Sequence, residues 1–197
     1  MKYSLYKKLQ VFVHHDHKEQ KNILLRELNN GHLSEAKSSV LELACGGGNF
    51  AQIFPIECYT GIDLMPDRIA AARRDNAGYN FEVVNINGPR ATELIKRANF
   101  IFCHGLLHHL NDQECRDLIK SVKQFSRKPS LFIVMEPILP NRWFNPLGFL
   151  IAKLDQGKYV RTTGEYLNLF SVNDLRIKRL RFFFRWPVDM EVYIIKC

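Results

Sequence analysis

The chain has 197 residues, 46% of them hydrophobic and 24% charged, a balance that excludes a disordered tract and allows one domain with a substantial core. Its formal charge of +8 suits acidic small molecules, nucleic acid or anionic lipid and selects none of them. The N-terminus lacks an apolar signal core and no run approaches a membrane span, while the five Cys (45, 58, 103, 115, 197) form no C-x-x-C pair, so reduced thiols and a cytoplasmic chain are expected.

Residues 3–30 carry apolar positions at Leu5, Leu9, Phe12, Ile23, Leu24 and Leu28, broken by His14-His15-Asp16-His17, which predicts one or two helices. His14 and His17 stand at i and i+3, but no third or fourth ligand follows at helical spacing, so no metal is expected. Gly31 and Ser38-Ser39 mark a loop into Val40–Leu43, a short buried strand that runs into Gly46-Gly47-Gly48. A strand that ends in such a turn sets backbone N–H groups beside a nucleotide-like ligand. A short helix around Asn49–Phe54 is stopped by Pro55, and the second strand, Tyr59–Asp63, ends in a carboxylate suited to ribose hydroxyls. Pro66 and Asp67 open the next helix, and Phe81–Asn85 is a third strand.

Asn99–Cys103 is a fourth strand, leading into His104-Gly105-Leu106-Leu107-His108-His109-Leu110. Asn111 with Glu114 makes a capping box for a helix to about Phe125, and Ser130–Met135 is a fifth strand ending in Glu136-Pro137. Beyond it Asn145-Pro146 starts a helix, Leu147–Leu154, that is apolar nearly all round, which signals burial, a partner or a hydrophobic ligand. Thr162 and Glu165 make a second capping box, and strand-like runs at Leu175–Phe184 and Val188–Lys196 meet at Trp186-Pro187 as an antiparallel hairpin. Alternating βα units followed by a hairpin predict a mostly parallel sheet between helices.

Gly46-x-Gly48-x-x-Ala51 satisfies the loose dinucleotide fingerprint, yet no Tyr-x-x-x-Lys follows the fourth strand and the length leaves no second half for a dehydrogenase. The fuller string, Glu42-Leu43-Ala44-Cys45-Gly46-Gly47-Gly48, resembles motif I of the class I S-adenosylmethionine-dependent methyltransferases, with Ala44 where glycine is commoner. Tyr59-x-Gly61-Ile62-Asp63-Leu64, Leu106-Leu107-His108-His109-Leu110 and Leu154-Asp155-x-Gly157-x-x-Val160-Arg161 are similar to a bacterial group of small enzymes of that class. The resemblance implies a Rossmann-like, doubly wound α/β fold of seven strands, order 3-2-1-4-5-7-6, the last strand antiparallel. It implies S-adenosyl-L-methionine as cofactor, held by Glu42, Ala44, Cys45, Gly46, Gly48, Asp63, Leu64, Asn85, Ile86 and His104.

One domain over 1–197 is expected: a helical cap (1–38), a cofactor-binding half (39–136), a substrate-side insertion (137–170) and the closing hairpin (171–197). No Asn/Asp-Pro-Pro-Tyr/Phe follows the fourth strand, which favours a small-molecule acceptor over a base in nucleic acid. Tyr6, Glu136, Trp143, Arg161 and Tyr166 are expected on the acceptor side, and the apolar 147–154 helix suggests an acceptor with a hydrophobic part. An acceptor hydroxyl needs a base, so His108, with His109 and His104 behind it, is the expected proton acceptor. Two alternatives stand beside this. A nucleic-acid methyltransferase would use Lys178, Arg179, Arg181 and Arg185 among Phe182, Phe183 and Trp186. A non-catalytic, cofactor-binding partner subunit would bind without turnover.

Overall fold

Five short apolar runs lie side by side and parallel in the computed structural model, which describes residues 17–30, 39–141, 143–154, 157–171, 176–182 and 189–197. They are β1 (Val40–Leu43), β2 (Tyr59–Asp63), β3 (Asn80–Val83), β4 (Phe100–His104) and β5 (Leu131–Pro137). Two further strands, β6 (Arg176–Phe182) and β7 (Met190–Lys196), complete a seven-stranded sheet of order β3-β2-β1-β4-β5-β7-β6. β1 is the middle of the five parallel strands, with Leu41 opposite both Thr60 of β2 and Ile101 of β4. β7 runs antiparallel to β5 and β6, setting Glu136 opposite Glu191. This is the order and direction that the motif resemblance implied.

Strand alternation sorts the core into two layers. One face carries Leu41, Leu43, Ile62, Ile101, Cys103, Phe132, Val134, Tyr193 and Ile195. Three helices cover it: α3 (Pro89–Arg97), α4 (Asp112–Phe125) and α6 (Thr163–Ser171). The other face carries Val40, Tyr59, Phe81, Phe100, Phe102, Ile133 and Ile194, covered by α1 (Lys18–Asn30) and α2 (Pro66–Asp75). The remaining helix, α5 (Pro146–Leu154), follows β5.

Local chemistry accounts for most boundaries. Asn111 accepts the Glu114 N–H at 3.0 Å while Glu114 accepts the Asn111 N–H at 2.8 Å, so the expected capping box opens α4. Asn145 caps α5 through the Gly148 N–H, and Thr162 with Glu165 caps α6. The helix expected at Asn49–Phe54 is only a 3-10 turn, Ala51–Ile53, because Phe54 ahead of Pro55 is already extended. β3 stops at Val83, leaving Asn85 in the following turn. Sequence reading gave no element between Asn85 and Asn99, where α3 lies. Its signals were Pro89 at the first helical position, buried Ala91, Leu94 and Ile95, and Lys96-Arg97 in the last turn. Tyr6, His14, the loop 31–38 and the Trp186-Pro187 junction lie outside the described residues.

Candidate active site

The carboxyl ends of β1, β2, β4 and β5 carry the residues singled out above. At the first of them the chain turns through Ala44, at φ 57°, and Gly46, at φ 53°. Left-handed backbone costs an alanine what it does not cost a glycine, which explains why glycine is the usual occupant of the Ala44 position. A Cβ on Gly46 or Gly47 would meet no atom within 4 Å, so one side of this turn is open backbone. Gly48 faces inward: a Cβ there would press on Phe81 and Asn76. Asn76, buried at the end of α2, donates to the carbonyls of Ala72 (3.1 Å) and Gly47 (3.4 Å) and holds the turn from behind. Sequence reading missed that tie.

Asp63 is buried at the tip of β2 and spans two backbone donors. It accepts from Gly46 N at 2.9 Å through one oxygen and from Met65 N at 2.9 Å through the other. Each oxygen keeps further acceptor capacity. Beside it Leu64, Met65 and Val83 are exposed apolar side chains, while Ile86 is half-buried against the core. Asn85 is exposed and its Oδ1 accepts the Asn87 N–H at 3.0 Å. These acceptors, the open turn and the apolar rim fit a nucleoside with a charged tail.

Glu42 lies deeper than Ala44, Cys45 and Gly46 of the same motif. It was expected among the cofactor ligands, but it points into the layer under the turn, is 2% exposed, and accepts the hydroxyl of Tyr59. Burial, reinforced by the nearby Asp63 carboxylate, pushes its carboxyl up to about 8 against the opposing effect of the Tyr59 bond. Cys45 lies in the same layer, its thiol pushed up by burial and by the Glu42 and Asp63 charges, so it contributes backbone and no thiolate.

At the end of β4 the histidines part company. His104 is half-buried against Phe50 and His17, with ring centroids at 5.3 and 5.0 Å. His109 is exposed and leans on His108 at 4.2 Å between centroids. His108 is buried with its Nδ1 2.7 Å from Glu136 Oε2. The same carboxylate accepts N–H groups from Leu106 (2.8 Å), Leu107 (2.7 Å) and His108 (3.3 Å). In this pairing Nδ1 is the donor and the Glu136 carboxylate the acceptor, which fixes the orientation of the ring. A Cβ on Gly157 would overlap the ring at Cδ2, and one on Gly105 would lie 3.3 Å from Cε1. The His108 ring is thus packed edge-on against the backbone at Gly157, with Gly105 near its Cε1.

Three residues expected on the acceptor side are engaged within the protein. Glu136 is fully buried and spends its oxygens on the 106–108 turn. All five N–H groups of Arg161 are engaged, on Asp112 Oδ1 twice and on the carbonyls of Leu107, Leu110 and Tyr159. Tyr166 is wholly buried, its hydroxyl reaching the Pro137 carbonyl at 3.3 Å. Trp143, in contrast, is 78% exposed. Side chains of the 179–186 basic stretch lie outside the described residues, and among the described residues no cluster of His, Cys, Asp and Glu could hold a metal ion. No helix among them is long and apolar enough to cross a membrane.

Residues 40–128 match a family profile described as a methyltransferase domain. No curated protein matches the chain. A S-adenosylmethionine-dependent methyltransferase from Archaeoglobus fulgidus superposes with a TM-score of 0.72 at 13% identity, over 98% of this chain and 99% of that one. One from Clostridium acetobutylicum gives 0.69 at 11% identity, over 100% and 99%. The magnesium protoporphyrin IX methyltransferase of Synechocystis, solved with bound S-adenosylhomocysteine, gives 0.62 at 14%, over 92% and 83%. Residues 40–128 thus form a methyltransferase domain, and the chain as a whole carries the fold of the class I S-adenosylmethionine-dependent methyltransferases.

Proposed function

We propose that the protein transfers a methyl group from S-adenosylmethionine to oxygen or nitrogen of a small acceptor with a hydrophobic part. The observation that carries this is the open backbone at Gly46-Gly47 beside the two-armed Asp63. The Synechocystis relative, named for a porphyrin acceptor and solved with the demethylated cofactor, supports the same assignment.

The cofactor, when bound, supplies a methyl carbon already activated on a sulfonium. Asp63 accepts the ribose hydroxyls with its remaining lone pairs, Leu64, Met65 and Val83 cover the purine, and Gly46-Gly47 lets backbone approach the rest. The chain's other tasks are alignment of the acceptor and removal of its proton. His108 takes that proton at Nε2, with Glu136 holding the ring in the correct tautomer. His104 and His109 border the same strand end.

Calorimetric titration tests the cofactor: S-adenosylmethionine and its demethylated product should bind and NAD should not. Asp63→Ala should weaken that binding about ten- to a hundredfold, the worth of a charge-assisted bond. Binding of NAD alone overturns the assignment. A screen with radiolabelled methyl donor against metabolites, lipids and RNA identifies the acceptor. With it in hand, His108→Gln should lower kcat by about 10²–10⁴ while leaving cofactor affinity in place.

A further inference from the structure

The helix after β5 is inside out for a helix on a globular body. The residues α5 buries are Gly148 and Ala152, four apart and its smallest. Its three leucines face outward, Leu147, Leu150 and Leu154 being 39%, 55% and 72% exposed, while Phe149 and Ile151 are half-buried. The turn ahead of it adds Trp143 at 78% and Phe144 at 90%. Leu147, Leu150 and Leu154 follow at spacings of three and four, so they form one stripe along the helix, with Trp143 and Phe144 exposed in the turn that leads into it. Scattered exposed leucines need no explanation, but a continuous stripe led by two aromatics marks a docking face.

The surroundings say what docks there. Lys153 and Lys158 are exposed at the stripe's far end, and the whole chain carries +8. A second copy would bring two strongly positive molecules face to face, whereas anionic lipid supplies the opposite charge. Nine residues make a helix about 14 Å long, too short to span a bilayer and suited to lying in its surface. Trp and Phe beside lysines is the composition of helices that lie among lipid headgroups.

We propose that the 143–154 stripe seats the protein on an anionic bilayer surface, with α5 in the plane of the headgroups. The acceptor-side segment is then held where a partly hydrophobic acceptor would dissolve. The docking itself does not depend on that acceptor.

The test uses the full chain with phosphatidylcholine vesicles, with and without about one-third phosphatidylglycerol, followed by sedimentation and by Trp143 fluorescence in a Trp186→Phe background. Partitioning onto the anionic vesicles should be about tenfold or more above the neutral ones and fall with salt. The double variant Phe144→Ser, Leu150→Ser should lose about tenfold or more of it, with an unchanged thermal midpoint and unchanged S-adenosylmethionine affinity. That last measurement separates failure of the docking from failure of the catalytic reading. The proposal is overturned by no partitioning, by equal partitioning onto both vesicles, or by partitioning the double variant retains. It is also overturned if sedimentation shows a dimer that the double variant abolishes.

Discussion

Glu42 illustrates how one buried carboxyl couples the site to pH. Its acid form persists in the folded chain to about pH 8, where an unfolded chain has released the proton from about 4.5 upward. Between those values the unfolded state binds fewer protons than the native one, so this group's contribution to stability falls as pH rises from about 4.5 to 8 and levels off above. Glu42→Gln keeps an oxygen for the Tyr59 hydroxyl and removes the titration. The variant should gain on the wild type steadily from pH 5 to pH 8 in urea unfolding; equal pH slopes for the two proteins would show that Glu42 ionises as in solvent. The residue type and its place before the glycines were legible in the sequence. Which atom it met was not, because Tyr59 reaches it from a strand 17 positions away. The same limit applied to Glu136, whose partners come from about 30 residues earlier.

Elements with their own punctuation were readable. Both capping boxes and the Asn-Pro start of α5 are complete within four residues of sequence, and each opens a helix where expected. α3 went unread because its signal is an amphipathic pattern without a polar cap: Gly88 precedes it with no side-chain bond. α5 was read correctly as apolar, but its direction depends on what it packs against, which no local pattern states. The 157–161 segment makes its contacts across nearly fifty residues, with Tyr159 N on the His108 carbonyl at 3.0 Å. Gly157 is its tightest point. Gly157→Ala would place a Cβ over the His108 ring and 2.8 Å from its carbonyl oxygen, so the chain should lose about 1–3 kcal/mol in urea unfolding. Gly164→Ala, where a Cβ meets nothing within 4 Å and the backbone is helical, should be neutral or slightly stabilising. Equal losses for both would place the strain elsewhere.

For the whole molecule, a ligand that bridges the ends of several strands must stabilise them together. At about a hundred times its dissociation constant, S-adenosylmethionine should add about 2.7 kcal/mol and raise the melting midpoint by about 5–11 °C, with NAD leaving it unchanged. A scanning melt at several cofactor concentrations checks both. The sheet order followed from motif resemblance, since the βα alternation alone fixes parallel pairing and not which strand is central. What Arg161 does has a further consequence. With every donor committed, it ties the turn at 107–112 to the stretch at 159–161. Replacing Arg161 would leave the Asp112 carboxylate and three backbone carbonyls without their donor at once. Segment 143–154 is tied down far less, with Trp143, Phe144, Leu150 and Leu154 mostly exposed, so sequence change at those four positions costs the fold little.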